Sequence, residues 1–183
     1  MRTSRWFCVV AALTPACAEP TLEPAGRETA ALVDNTEWIQ VTGEADVFDG
    51  QGGGDNSCAP DAFGPEDFGG ELSFEVSTDD CQRLTVAQPA LTRIWEGDAI
   101  FVRVWHEQLS APEPAEAVLA LAIAGTEVWR ETIPIPQDHG GIVLGELIAE
   151  RDTAEGAVVS WHVHNHGKNA YHLLEVSVGE PEG

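Results

Sequence analysis

Residues 157–178, AVVSWHVHNHGKNAYHLLEVSV, decide the fold. Side chains alternate between the two faces of a β-strand. Val159, Trp161 and Val163 therefore form an apolar stripe, while His162, His164 and His166 share the opposite face. His166-Gly167-Lys168-Asn169 has the composition of a turn, and Tyr171–Val178 reads as a second strand. Together the two runs predict a β-hairpin that sets Tyr171 and Leu173 beside the histidines, with Leu174 and Val176 in the core.

The same short runs recur upstream. EWIQVT (37–42), LSFEVS (72–77), residues 84–86, AIFVRVWH (99–106), residues 117–124, 127–135 and 141–149 all read as strands separated by turn residues. Gly125-Thr126 is the two-residue signal of a hairpin between two of them. No segment carries a sustained helical period. Eight or nine short strands predict an all-β fold, a jelly-roll-like antiparallel β-sandwich over residues 36–183.

One stretch breaks the pattern. Residues 43–71, GEADVFDGQGGGDNSCAPDAFGPEDFGGE, hold eight glycines and read as a long loop. Asp46, Asp49, Asp55, Asn56 and Asp61 offer oxygen ligands of the kind Ca²⁺ takes, though their spacing fits no EF-hand. An ordinary acidic surface loop has the same composition. Cys58 in this loop and Cys81 beyond it have no Cys or His neighbour at metal-ligand spacing, so they are expected to form one disulfide.

The amino-terminal eighteen residues, MRTSRWFCVVAALTPACA, combine Arg2 and Arg5 with a short apolar run and a small-residue site, the pattern of a secretory signal peptide. The residues before Cys17 resemble a bacterial lipobox, so Cys17 is read as acylated, anchoring the protein to a membrane through lipid. Ordinary cleavage after Ala18, giving a secreted protein, is the alternative. Residues 19–35 read as a flexible acidic tether. The expected location is extracytoplasmic: the bacterial cell envelope or the medium. The chain has 9 basic and 31 acidic residues. Two of the basic residues and none of the acidic ones fall in the signal, which leaves the remainder at −24. Such a charge excludes nucleic acid as a partner.

The histidine run is the sharpest chemical feature. Alternating imidazoles supply two ligands to Zn²⁺ or Cu²⁺, and another strand supplies a third. His162, His164 and His166 are the candidates, with His106 and His172 available from elsewhere. An open position on such a zinc ion would activate water for hydrolysis. The same pattern also suits histidines that bond across a sheet or line a polar groove. No nucleophile elbow or phosphate-binding loop is present. Of the tryptophans, Trp105 shares its face with Arg103 and Phe101. Trp105 and Tyr171 are the aromatic residues expected to face a ligand.

The strand count and the closing VVSWHVHNHGKNAYHLLEVSV run after a disulfide loop resemble the galactose-binding-type jelly rolls of exported bacterial proteins. That resemblance implies a β-sandwich binding carbohydrate or an envelope partner, often with a structural calcium, and carries over no numbered residue. The reading is of a non-catalytic binding protein. A zinc or copper protein, with hydrolysis as its furthest extension, is the alternative.

Overall fold

In Ala99–His106 the alternation turns Ile100, Val102 and Val104 one way and Phe101, Arg103 and Trp105 the other. A computed structural model describes residues 28–51, 58–79 and 81–181, and in it the first three residues are buried and the last three half-exposed. The strands are β1 (Ala30–Ala31), β2 (Ile39–Gln40), β3 (Phe63–Phe68), β4 (Glu71–Ser77), β5 (Arg83–Pro89), β6 (Ala99–His106), β7 (Ala115–Ile123), β8 (Thr126–Ile135), β9 (Gly141–Ile148), β10 (Val158–His164) and β11 (Ala170–Gly179). A 3-10 turn, Gly43–Ala45, is the one helical element among the described residues. None of these residues form a helix long and apolar enough to cross a membrane. The signal, Cys17 and most of the tether lie outside the described residues.

One sheet runs β3-β4-β11-β6-β9, with β1 on β11, and the other runs β2-β5-β10-β7-β8. All pairings are antiparallel. Strands β4 to β11 interleave as a jelly roll, successive strands mostly crossing between sheets. Phe74, Val76, Leu84, Val86, Val104, Leu119, Leu121, Trp161, Val163 and Leu173 fill the space between the sheets. Each such side chain withdrawn from water contributes roughly 1.5–3 kcal/mol.

Five expectations need correction. β10 and β11 are not a hairpin: each is central in its own sheet, and residues 165–169 cross from one sheet to the other. A bulge between Leu173 and Glu175 shifts the phase of β11, so Tyr171, Leu173, Val176 and Val178 all face the core. The β7–β8 turn is Ala124-Gly125, one place earlier than expected, with both residues in the left-handed region (φ 49° and 76°). Two strands were also hidden. β3 lies within the predicted loop, where Pro65 is tolerated because the strand is at a sheet edge. Ala30–Asn35 belongs to the domain instead of the tether: Leu32 is fully buried and its N–H donates to the Val176 carbonyl at 2.8 Å.

The crossover is held by a buried amide cluster. Asn165 Nδ2 donates to Thr78 Oγ1 at 2.6 Å, and its Oδ1 accepts from Tyr171 Oη and Asn169 Nδ2, each at 3.0 Å. Asn169 also joins Ser110, donating to its carbonyl and accepting from its N–H. Gly167 (φ 137°) passes so close to Ser110 that a Cβ would sit 2.1 Å from its carbonyl oxygen. No larger residue fits there.

Cys58 and Cys81 form the expected disulfide, 23 residues apart in sequence. Replacing both cysteines by serine is expected to lower the unfolding free energy by about 3 kcal/mol, the loop-closure contribution for that separation, read as a shift in urea midpoint.

Candidate functional site

The two sheets present different outer surfaces. On the outer face of β5-β10-β7, Thr85, His162 and Ala120 lie in register. The 43–51 segment roofs them. Phe48 is buried against Ala120 and Ala122, and its ring stacks on His162 with centroids 4.8 Å apart. Arg83 pins the segment through Asp46 (3.0 Å), Asp49 (3.2 Å) and the Gln51 carbonyl (3.2 Å). Asp46 also accepts the Phe48 N–H. The aspartates expected to gather round calcium are thus divided. Asp46 and Asp49 serve a guanidinium, Asp61 is exposed, and Asp55 lies outside the described residues.

The histidine run keeps its predicted alternation, and two of its three members are buried. His162 and His164 are buried beneath or beside the roof, while His166 is exposed in the crossover. His162 Nδ1 is 2.8 Å from Thr85 Oγ1, and the His164 and His166 rings meet edge-on at 4.8 Å. His106 and His172 stand on the other sheet, so the crossing of β10 to β11 separates them from the run. Burial pushes the His162 imidazole down to about 3, with Arg83, His164 and Arg130 adding to the effect and Asp46 opposing it.

Two outcomes follow from this roof. Phe48→Ala, which opens a cavity over His162, should cost about 3 kcal/mol in chemical denaturation. Unfolded His162 takes a proton near pH 6.5, and the folded protein resists doing so down to about 3. Stability is therefore full above pH 6.5 and declines as pH falls toward 3, because the unfolded state binds more protons. His162→Gln should flatten this decline between pH 7 and 5. His172, also lowered by burial, adds to the decline, and the raised Glu75 carboxyl opposes it.

The outer face of β3-β4-β11-β6-β9 has no such roof among the described residues. Across it, Glu75, His172, Trp105 and Ile142 stand in register, and Ser177, Phe101 and Glu146 form another row. Phe68 reaches over from β3 to touch both Trp105 (centroids 5.8 Å) and His172 (4.4 Å). Between the rows, Arg103 bridges Glu71 and Glu175, and these carboxylates hold the guanidinium firmly charged. A shallow groove there is lined by Phe101, Arg103, Leu144, Glu146, Glu175 and Ser177. Leu144 and Ile142 on edge strand β9 are exposed.

Next to the aromatics lie Glu66, Glu75 and His172, whose donor atoms are all within 4.8 Å of one another. Burial and the neighbouring Glu66 raise the Glu75 carboxyl above the usual range. Of this trio, His172 is among the candidate ligands read from the sequence, and Glu66 and Glu75 are not, because the three strands' register is not displayed by the sequence.

The aromatic expectations divide. Trp105 faces outward, half-exposed. Tyr171 does not face a ligand: it is 0% exposed, with its hydroxyl committed to Asn165 and its acidity reduced by burial. Trp38 and Trp161 are core, Trp129 lies against Gly145, and Trp95, 40% exposed, carries the Arg93 guanidinium over its ring at 3.8 Å.

No protein-family profile and no curated protein sequence matches the chain. Solved structures do. An arabinose-bound GH51 α-L-arabinofuranosidase superposes with a TM-score of 0.50 and 9% identity, over 84% of this chain. The chain spans only 27% of that enzyme's length. A CBM61 module in complex with β-1,4-galactotriose matches at TM-score 0.44 and 10% identity, over 83% of this chain and 99% of the module. The CBM22-1 xylan-binding domain from Paenibacillus barcinonensis matches at 0.43 and 9%, over 85% and 95%. The fold is an antiparallel β-sandwich of jelly-roll type. At such identities the likeness is one of fold, and what this jelly roll binds has to be argued from its own surface.

Proposed function

We propose that the protein is a non-catalytic, extracytoplasmic binding module that takes carbohydrate on the outer face of β4-β11-β6-β9. One observation carries this reading: the opposite sheet is roofed by the Phe48 segment, while this face leaves Trp105, Phe68 and Phe101 half-exposed around a fixed Arg103–carboxylate network. A sugar ring has apolar C–H faces and an equatorial rim of hydroxyls. Aromatic planes meet the first, and charged hydrogen-bonding groups held in place meet the second. Two carboxylates and a guanidinium paired to one another offer both acceptors and donors, held in place, to the hydroxyls of a neutral glycan.

Export fits the same picture. The first eighteen residues read as a signal, and the disulfide suits an oxidising compartment. A lipid on Cys17 would hold the module at the envelope, and cleavage after Ala18 would release it.

Affinity electrophoresis against polysaccharides including galactan and xylan tests the reading. Trp105→Ala is expected to weaken binding at least about tenfold, which is about 1.4 kcal/mol. Phe48→Ala, on the other sheet, should lower stability and leave affinity unchanged under native conditions. Equal affinity in Trp105→Ala, or no retardation by any polysaccharide, overturns the proposal.

A further inference from the structure

We propose that Glu66, Glu75 and His172 form a binding site for a first-row divalent transition ion of the zinc class. The site joins β3, β4 and β11 on their outer face, with water completing the coordination. It stands independently of the carbohydrate reading.

The geometry comes first. Glu66 Oε2 lies 3.5 Å from His172 Nδ1, and the Glu75 carboxylate completes a group of donors no more than 4.8 Å apart. Two ligand atoms bound tetrahedrally to one ion at zinc distances are about 3.4 Å apart. The Glu66–His172 separation is thus already close to that of two ligands on a shared ion, and long for a hydrogen bond.

The state of His172 is a separate observation. It is 2% exposed, yet neither ring nitrogen is well served. Nε2 has no hydrogen-bond partner, and Nδ1 has only Ser73 Oγ and the Glu66 carboxylate, both at 3.5 Å. Buried polar atoms are ordinarily satisfied, and those that are not point to a missing partner. A cation between Nδ1 and the carboxylates is a partner for the weakly held Nδ1, while Nε2 points away from that site. Phe68 against the ring and Ser73 beside it fix its orientation, so the nitrogen is aimed before any ion arrives.

Charge points the same way. Glu66 and Glu75 lie side by side, and no lysine or arginine among the described residues is paired with either. One imidazole with two carboxylates selects the ion class. Ca²⁺ and Mg²⁺ take oxygen ligands, whereas Zn²⁺ and its first-row neighbours accept nitrogen and oxygen together. The histidine run on β10 is not involved. The bound ion would clamp edge strand β3 to the sheet and hold Phe68 in place over Trp105.

The test is a calorimetric titration of the metal-free protein, purified without a histidine tag, with zinc in the presence of millimolar calcium. We expect one zinc ion per chain, a zinc-dependent rise in melting temperature, and at least about tenfold weaker binding in both Glu66→Gln and Glu75→Gln. These near-isosteric changes lie outside the core, and circular dichroism confirms that the variants are folded. Failure of the wild-type protein to bind zinc overturns the proposal. So does displacement of zinc by calcium, or affinity that survives both glutamine substitutions. Loss of binding only in His162→Gln or His164→Gln would place the ion on the other sheet and overturn it equally.

Discussion

The structure turns on the five residues that carry the chain from β10 to β11. Each of these strands is the middle member of a sheet, so the link between them must cross the edge of the core with its backbone polar groups accounted for. Asn165, Asn169, Thr78 and Tyr171 do this with buried amide and hydroxyl contacts. A hydrogen bond in such a place adds only about 1 kcal/mol when made, but an abandoned buried partner costs about 1–3 kcal/mol. The cluster therefore acts less as glue than as a specification: other routings of this segment would leave several of these groups unsatisfied at once.

The consequence for function is a division of labour between sheets. The sheet that contains β10 has its outer face sealed by Phe48 and by a salt bridge whose Arg83 and Asp46 side chains are almost wholly buried. Removing Arg83 would leave the Asp46 carboxylate buried without this guanidinium, which is a far larger penalty than any surface ion pair carries. A loop rich in glycine and aspartate, which composition marks as a place for ligands, is therefore a fixed structural layer over residues 43–51. In the proposed function, recognition falls to the sheet that contains β11. Its aromatic and charged side chains project from paired strands, which hold them more firmly than loops would.

Much of this was legible from residue order. AIFVRVWH is a strand over the span expected, and it already shows Trp105, Arg103 and Phe101 on one face. The alternation at residues 158–164 also correctly sends Trp161 and Val163 inward and His162 and His164 the other way. What failed was everything that depends on partners distant in sequence. Gly167-Lys168 has the chemistry of a hairpin turn, and only pairing with β5, β7, β4 and β6 shows that it is a crossover. FGPEDF lacks β-branched residues and contains proline, so its role as an edge strand has no local signal. The burial of His162 depends on Phe48, 114 positions earlier. The closeness of Glu66 to Glu75 and His172 depends on a register that spans three strands.

Strand β1 has a mechanical meaning. Ala30 pairs with Val178 and Ala31 with Ser177, so the first and last described residues leave the molecule side by side at one end of β11. A pull on residue 28 that is resisted at the far end of the sandwich runs along β1, and its hydrogen bonds, which lie across the strand, bear the load together in shear. A pull that separates residue 28 from residue 181 meets the same bonds one at a time and peels them. The domain is therefore stiff toward a surface held at its opposite end and compliant between its own two termini.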